Sequence, residues 1–271
     1  MDALHEKKTV LEEILRKEDR IMIAFSGGVD STFLLEQAVR IRKEHVTAVT
    51  MVSPAYPAGE LAFTQSFCRE HGIEQILLET QELTIEGFAM NPPNRCYLCK
   101  RAFLQKVRKA AEEKGIPCIM EGSNVDDDAD YRPGAAALKE LGIRSPLKEA
   151  GLTKADIRML SKEDGLPTWN KPSMACLYSR FAYGEQITEQ KLSMIARAEE
   201  LLCELGFTQV RVRLHGNLAR IETDREHFEK LACPETAGLV SDKLKKLGFS
   251  YVAMDLSGYR TGSMNETLED S

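Results

Sequence analysis

The chain has 271 residues, 43% hydrophobic and 29% charged, with a formal net charge of −6. This balance predicts an ordinary globular protein of one large or two modest domains. No run approaches the roughly 18 apolar residues that would span a bilayer, and the acidic total disfavours a protein devoted to holding long nucleic acid. Seven cysteines, an odd number, and a charged, helix-periodic start (Leu4, Val10, Leu11, Ile14, Leu15) unlike a signal or transit peptide predict a reducing, cytoplasmic location.

In chain order, short apolar runs alternate with amphipathic segments: strand 21–25, helix 31–43, strand 46–52, helix 59–71, strand 75–79, helix 96–114, strand 117–121. That rhythm predicts a parallel sheet with helices on both faces, and ligands in such sheets sit beyond the carboxyl ends of the strands. Three loops fall there, SGGVDST, VSPAYP and GSNVDDDAD, and are expected to face one crevice. A helix around Ile157 and Leu160 follows, then LPTWNKPS, a proline-rich exit from the first domain. Beyond it come a helix over 188–205, a hairpin of VRVRLH and LARIET about Gly216-Asn217, a helix through the 240s and a strand at 251–254. We expect two domains, 1–180 and a smaller α+β domain over 181–271.

The strand-to-helix junction Ser26-Gly27-Gly28-Val29-Asp30-Ser31-Thr32 carries the most information. Its glycines let the backbone approach a ligand, and the N–H groups opening the next helix, with the Ser26, Ser31 and Thr32 hydroxyls, make an anion cradle. It lacks the Lys-Ser/Thr pair of a Walker A loop and the third glycine of a dinucleotide fingerprint. SGGVDS instead resembles the PP-loop of the N-type ATP pyrophosphatases. That resemblance implies a PP-loop, Rossmann-like domain, cleavage of ATP to AMP and pyrophosphate, and a role for Asp30 in holding Mg2+ on the pyrophosphate. Asn124 and Asp126 are expected nucleotide contacts; the acidic cluster Asp126, Asp127, Asp128 and Asp130 either binds Mg2+ or is solvated.

Cys96 and Cys99 share one face at the start of a helix, where the thiolate is favoured. By themselves they fit half a zinc site, a redox dithiol or two packed cysteines. Cys176 lies in the irregular loop KPSMACLYSR, near Lys171, Ser179, Arg180 and Glu185, and is a candidate reactive thiolate. Cys68, Cys118, Cys203 and Cys233 are expected to pack in or near the core. Arg211 and Arg213 project from one face of a half-buried strand, suited either to capturing a phosphate or to a solvated face or an ion pair with Glu222. His215 stands at a turn, in a capping rather than a titrating position.

Taken together, SGGVDST, RCYLCK, EGSNVDD with DYRPG, KPSMACLYSR, VRVRLHG with ARIE, and GYRTGSMN resemble the LarE family over nearly the whole chain. These are ATP-dependent sulfur transferases that thiolate pyridinium-3,5-biscarboxylic acid mononucleotide on the way to the nickel-pincer nucleotide cofactor. The resemblance implies that Cys176 bears the sulfur, with Ser179 and Arg180 beside it. It also implies that Cys96, Cys99 and Cys176 bind a [4Fe-4S] cluster, that Arg211 and Arg213 hold the substrate phosphate, and that the protein is a homo-oligomer, a hexamer in the family, working with other nickel-pincer biosynthesis proteins. Members lacking the Cys pair sacrifice the loop cysteine instead. A tRNA-thiolating PP-loop enzyme and a non-catalytic nucleotide sensor are the rival expectations.

Overall fold

The computed structural model describes residues 3–56, 58–128, 134–172, 175–260 and 262–265. The chain divides into two units, one built from 1–85 and 94–174, the other from 86–93 and 175–271.

The first unit runs α1 (Ala3–Arg16), β1 (Ile21–Ala24), α2 (Val29–Arg42), β2 (Val46–Val52), α3 (Ala58–Glu70), β3 (Glu74–Glu79), α4 (Arg95–Lys114), β4 (Cys118–Met120), α5 (Gly134–Leu141), α6 (Pro146–Glu149) and α7 (Lys154–Glu163). The four strands are parallel in the order β3-β2-β1-β4, with Ile21 level with Val46 on one side and Cys118 on the other. Alternation of side chains along β1 divides the core. Ile21, Ile23 and Phe25 pack with Phe33, Leu34 and Leu35 of α2, whereas Met22 packs with Leu104 and Val107 of α4. Helices therefore cover both faces, as a sheet buried on two sides requires. The chain leaves β1 towards β2 and returns on the other side of β1 as β4. The crevice of such a sheet opens at this reversal, between the loops that follow β1 and β4.

The second unit contains α8 (Glu189–Glu204), β5 (Val210–His215), β6 (Leu218–Thr223), α9 (Phe228–Ala232), α10 (Pro234–Leu247) and β7 (Tyr251–Met254). β5 and β6 are antiparallel through a turn in which Gly216 has φ +60°, and β7 lies parallel beside β6. The segment 86–93 belongs here because it is tied to the 181–187 loop. The Gly184 and Ile187 N–H groups donate to the carbonyls of Asn91 and Ala89, the Asn91 amide donates to the Phe181 carbonyl, and Phe88 meets Tyr178 edge-on at 4.9 Å.

Two sequence expectations change. β5 is buried on both faces from Val210 to Leu214, so the arginines do not stand on a polar surface. Cys203 and Cys233 are exposed, while Cys68 and Cys118 are buried as expected; helical spacing locates a face but not whether anything covers it. Asp130, Tyr131, Arg132 and Pro133 lie outside the described residues, as do Met174 and Thr261.

Candidate functional site

The PP-loop opens α2 with Gly28 at the N-cap and no side-chain cap, which leaves the first N–H groups of the helix for an anion. Ser26 and Ser31 hydroxyls meet at 3.0 Å across the loop. Thr32 is fully buried and its hydroxyl donates to the Gly28 carbonyl at 2.8 Å, so it holds the turn and presents no hydroxyl to the crevice. Gly27 has φ +73°, and a Cβ there would come within 3.0 Å of Phe63 and Thr64.

A cavity of about 300 Å³ lies at this loop, lined by residues of all three strand-end loops: Ser26, Asp30 and Ser31, then Tyr56, then Glu121, Gly122, Ser123 and Asp127. Its floor is apolar, with Val49, Met51, Phe103 and Leu104. An apolar floor under a polar, N–H-rich wall suits a nucleoside phosphate. Tyr56 closes over the loop by donating its hydroxyl to the Ser26 carbonyl.

Asp30 sits in the first turn of α2, one carboxylate oxygen bonded to Lys154 and the other buried without a hydrogen-bond partner. Burial pushes its pKa up, more than Lys154 pulls it down. A half-coordinated buried carboxylate beside an anion cradle fits Mg2+, a hard cation that takes oxygen ligands and shares them with phosphate. Lys154 is placed by the N-terminus of α7, where Thr153 and Asp156 form a capping box.

Glu121 is the other buried carboxylate of the cavity. Burial acts to raise its pKa, but Lys100 and hydrogen bonds from Ser145 and Ser123 outweigh that and hold it below the usual value. The expected nucleotide contacts Asn124 and Asp126 are engaged otherwise. The Asn124 side-chain carbonyl accepts from the Asp126 N–H at 2.9 Å, and the Asp126 carboxylate accepts from the Lys154 N–H at 2.8 Å. Both brace the loop; Glu121, Gly122, Ser123 and Asp127 line the cavity. Lys100, Glu121 and Gly122, which line the cavity, and Lys154, which pairs with Asp30, are candidate site residues that the sequence reading misses. Gly122 carries the one usable signal, a glycine directly after a strand. A Cβ there would lie 3.0 Å from the Ser31 backbone nitrogen, so a side chain would have to push the PP-loop backbone aside where the two loops touch.

Cys96 is exposed and Cys99 half-buried on the first turns of α4, with the buried Arg95 guanidinium 3.8 Å from the Cys96 sulfur. Among the described residues, no three Cys, His, Asp or Glu side chains are grouped to hold a metal ion. The first unit thus offers a thiol pair suited to a cluster, not a full ligand set. Lys171, expected near Cys176, is engaged with the Gly27 carbonyl at 3.0 Å and with Glu60 at 2.6 Å.

In the second unit Cys176 is exposed, directly before a short 3-10 turn (Leu177–Arg180). Its carbonyl accepts from the Ser179 N–H at 2.9 Å, the Ser179 hydroxyl at 2.7 Å and Arg180 at 3.2 Å. Arg180, itself buried, also pairs through two nitrogens with Glu199. Ser179 and Arg180 thereby fix the Cys176 backbone while leaving the thiol on the surface. Arg213 donates to Glu222 at 2.9 Å, to the Ser179 carbonyl at 2.7 Å and to Ser263 at 2.9 Å, and its Nε is buried without a partner. The Arg211 guanidinium lies 5.4 Å from the Tyr259 ring centre, and burial, with Arg180 nearby, lowers its pKa. The pairing with Glu222 weighed from the sequence is therefore made by Arg213. His215, at the surface end of β5, keeps part of its ring against the protein, and that partial burial, with Arg220, lowers its pKa.

No protein-family model matches the chain. It is 40% identical over 265 residues, 98% of this chain and 99% of the other, to an uncharacterized protein of Synechocystis sp.. Over 269 residues, 99% of this chain and 97% of the relative, it is 36% identical to the pyridinium-3,5-bisthiocarboxylic acid mononucleotide synthase of Lactiplantibacillus plantarum. A shorter match, 30% over 121 residues, or 41% of this chain and 36% of the relative, is to the tRNA-5-methyluridine(54) 2-sulfurtransferase of Thermus thermophilus. The parallel-sheet unit is a PP-loop domain, and because the likeness to the synthase runs through both units rather than the nucleotide half alone, the chain belongs to the LarE family of sulfurtransferases.

Proposed function

We propose that the protein uses ATP to adenylate a carboxylate of pyridinium-3,5-biscarboxylic acid mononucleotide and converts it to a thiocarboxylate, within nickel-pincer nucleotide biosynthesis. The observation that carries this reading is the 36% identity to the synthase over 99% of the chain, joined to a PP-loop cavity with the polarity of a nucleotide site. The tRNA-thiolating alternative draws on a match that covers 41% of the chain. Residues 1–180 form the catalytic nucleotide domain in this reading, and 181–271 bind substrate and mediate oligomerisation.

ATP binds with its phosphates on the Ser26–Ser31 loop, and Asp30 holds Mg2+, which neutralises charge on the departing pyrophosphate. A substrate carboxylate oxygen attacks the α-phosphorus, pyrophosphate leaves, and a carboxylate that was a poor electrophile becomes an acyl-adenylate with AMP as leaving group. Arg211 and Arg213 bind the substrate phosphate. Ser179 and Arg180 hold the backbone of the sulfur-bearing Cys176.

Cys96, Cys99 and Cys176 are assigned to a [4Fe-4S] cluster. Bound there, it would supply iron able to accept sulfide for transfer. The sacrificial alternative uses Cys176 alone. Its thiolate attacks the acyl carbon, AMP departs, and loss of the Cys176 Cα proton forms the Cα=Cβ bond as the Cβ–S bond breaks. Thiocarboxylate leaves, and dehydroalanine remains. A cytoplasmic homo-oligomer completes the reading.

The test incubates the anaerobically purified protein with Mg·ATP, sulfide and the dicarboxylate mononucleotide. AMP, pyrophosphate and thiocarboxylate are expected, with the intact protein weighed before and after. Iron that depends on all three cysteines and an unchanged protein mass support the cluster. A protein lighter by the mass of one hydrogen sulfide molecule, with no iron, supports the sacrificial route. Retention of tRNA at moderate salt, with no thiocarboxylate formed, would replace the reading altogether.

A further inference from the structure

The cavity lining carries an excess of negative charge: Asp30, Glu121 and Asp127 contribute carboxylates and Lys100 one ammonium. A polyanionic nucleotide entering it needs positive partners. The N-terminus of α2 and the cation held by Asp30 serve the pyrophosphate end. Lys100 enters from α4, at the side of the cavity formed by the end of β4.

Lys100 is placed to be detachable. Its Nζ donates to Glu121 Oε2 at 3.1 Å. Glu121 has three other donors: the Ser145 hydroxyl at 2.6 Å and the Ser123 N–H at 3.0 Å on Oε1, and the Ser123 hydroxyl at 2.8 Å on Oε2. Each carboxylate oxygen thus keeps a hydrogen bond when Lys100 moves away, so departure leaves no orphaned acceptor. The lysine stem runs along bare backbone at Gly134, where a Cβ would come within 3.1 Å of the Lys100 Cδ. A pair made only for stability would not need an acceptor so fully supplied from elsewhere.

We infer that Lys100 is the cation that binds the α-phosphate of ATP during adenylation, leaving Glu121 to do so. This rests on the ATP-dependent reading above. The substrate carboxylate oxygen supplies the electron pair of the new O–P bond, and the broken P–O bond departs with its pair on pyrophosphate. No proton and no redox partner is required. The negative charge that builds on the non-bridging α-oxygens is met by the Lys100 ammonium. Glu121 is its resting partner in the empty cavity.

The experiment uses the full chain as wild type, Lys100→Gln, Lys100→Arg, Glu121→Gln and the Lys100→Gln/Glu121→Gln double variant. Calorimetric titrations with AMP and with Mg·pyrophosphate are run beside the rate of pyrophosphate release from ATP with the dicarboxylate mononucleotide. Lys100→Gln is expected to weaken AMP binding about 10-fold or more and to slow pyrophosphate release about 100-fold, with Mg·pyrophosphate binding unchanged. Lys100→Arg recovers part of both, and Glu121→Gln, which frees the lysine, binds AMP at least as tightly as wild type. The double variant stays defective.

Recovery in the double variant would mean that Lys100 only neutralises Glu121, and would overturn the inference. So would wild-type behaviour of Lys100→Gln, equal loss of AMP and pyrophosphate binding, or weakened AMP binding by Glu121→Gln, an arm that remains informative if Lys100→Gln does not fold. A wild-type protein that releases no pyrophosphate fails at the ATP reading itself, a result separate from any difference among the variants.

Discussion

The PP-loop cavity and the arginine cluster of the second unit handle buried charge in opposite ways. In the cavity, polar groups are held in reserve: Asp30 has an unpartnered oxygen, α2 opens without a side-chain cap, and Lys100 leans on a carboxylate with donors to spare. In the cluster, most of the charge is already matched. Glu222, with no exposed surface, takes Arg213 and Arg220 at 2.9 Å each, and Asp255 faces Arg220 and Arg260. The first arrangement is prepared for a ligand that brings its own charge and cation. The second is a lattice of mutually neutralising groups, so the position of each arginine depends on the lattice staying intact.

The sharpest way to break this comparison is Glu222→Ala. It takes away the only carboxylate paired with the buried Arg213 among the described residues and one of the two facing Arg220, and is expected to destabilise the second unit by about 3–5 kcal/mol, read from urea or thermal unfolding. A cost below about 1 kcal/mol would show an arginine cluster as loosely held as the cavity. Next in size, Asp30→Asn should lower the adenylation rate by about 100- to 1000-fold while leaving the unfolding transition cooperative, since its loss removes cation binding and not packing. Equal rates with and without the carboxylate would remove Asp30 from the site.

Gly122→Val presses a side chain onto the backbone of Ser31 and Asp30 and is expected to cost about 1–3 kcal/mol and to abolish nucleotide binding by calorimetry. Gly59→Ala is its control: a Cβ there meets nothing within 4 Å, and the change should be neutral or stabilising.

The smallest effect is a difference in sign with pH. Asp30 stands above its ordinary 3.8, so the stability it contributes is present below that value and is lost as pH rises through its folded pKa. Glu121 stands below its ordinary 4.5; its contribution is present above that value and is lost as pH falls through its folded pKa. Melting temperatures across the acid range should show Asp30→Asn gaining on wild type as pH rises, and Glu121→Gln losing less than wild type as pH falls. Parallel curves would refute the distinction.

What the sequence discloses follows from what is local. Strand β1, the turn at Ser26–Ser31 and helix α2 are contiguous, so hydrophobic period and glycine placement suffice to find the cradle. The partners that complete it are 90 or more residues away in the chain: Lys154 for Asp30, and Gly122 against Ser31. No period in the sequence links such pairs. The same limit explains Arg211 and Arg213, whose alternation with Val210, Val212 and Leu214 looks like a half-solvated strand. Only the packing on β5 reveals that both faces are covered. Asn124 and Asp126 show another limit: short polar side chains after a strand are as well suited to bonding their own loop, as both do here, as to touching a ligand.

The excursion of residues 86–93 makes neither unit a contiguous stretch of polypeptide. Cutting the gene after codon 174 would yield a first fragment still carrying Phe88 and Asn91, both fully buried side chains that belong with the second. It would also yield a second fragment missing the segment that ties down its 181–187 loop. During synthesis residues 86–93 emerge well before the 181–187 loop that they tie down, so this contact of the second unit cannot form until the whole of the first unit has been made. Separately expressed halves are therefore expected to be poor surrogates for the whole.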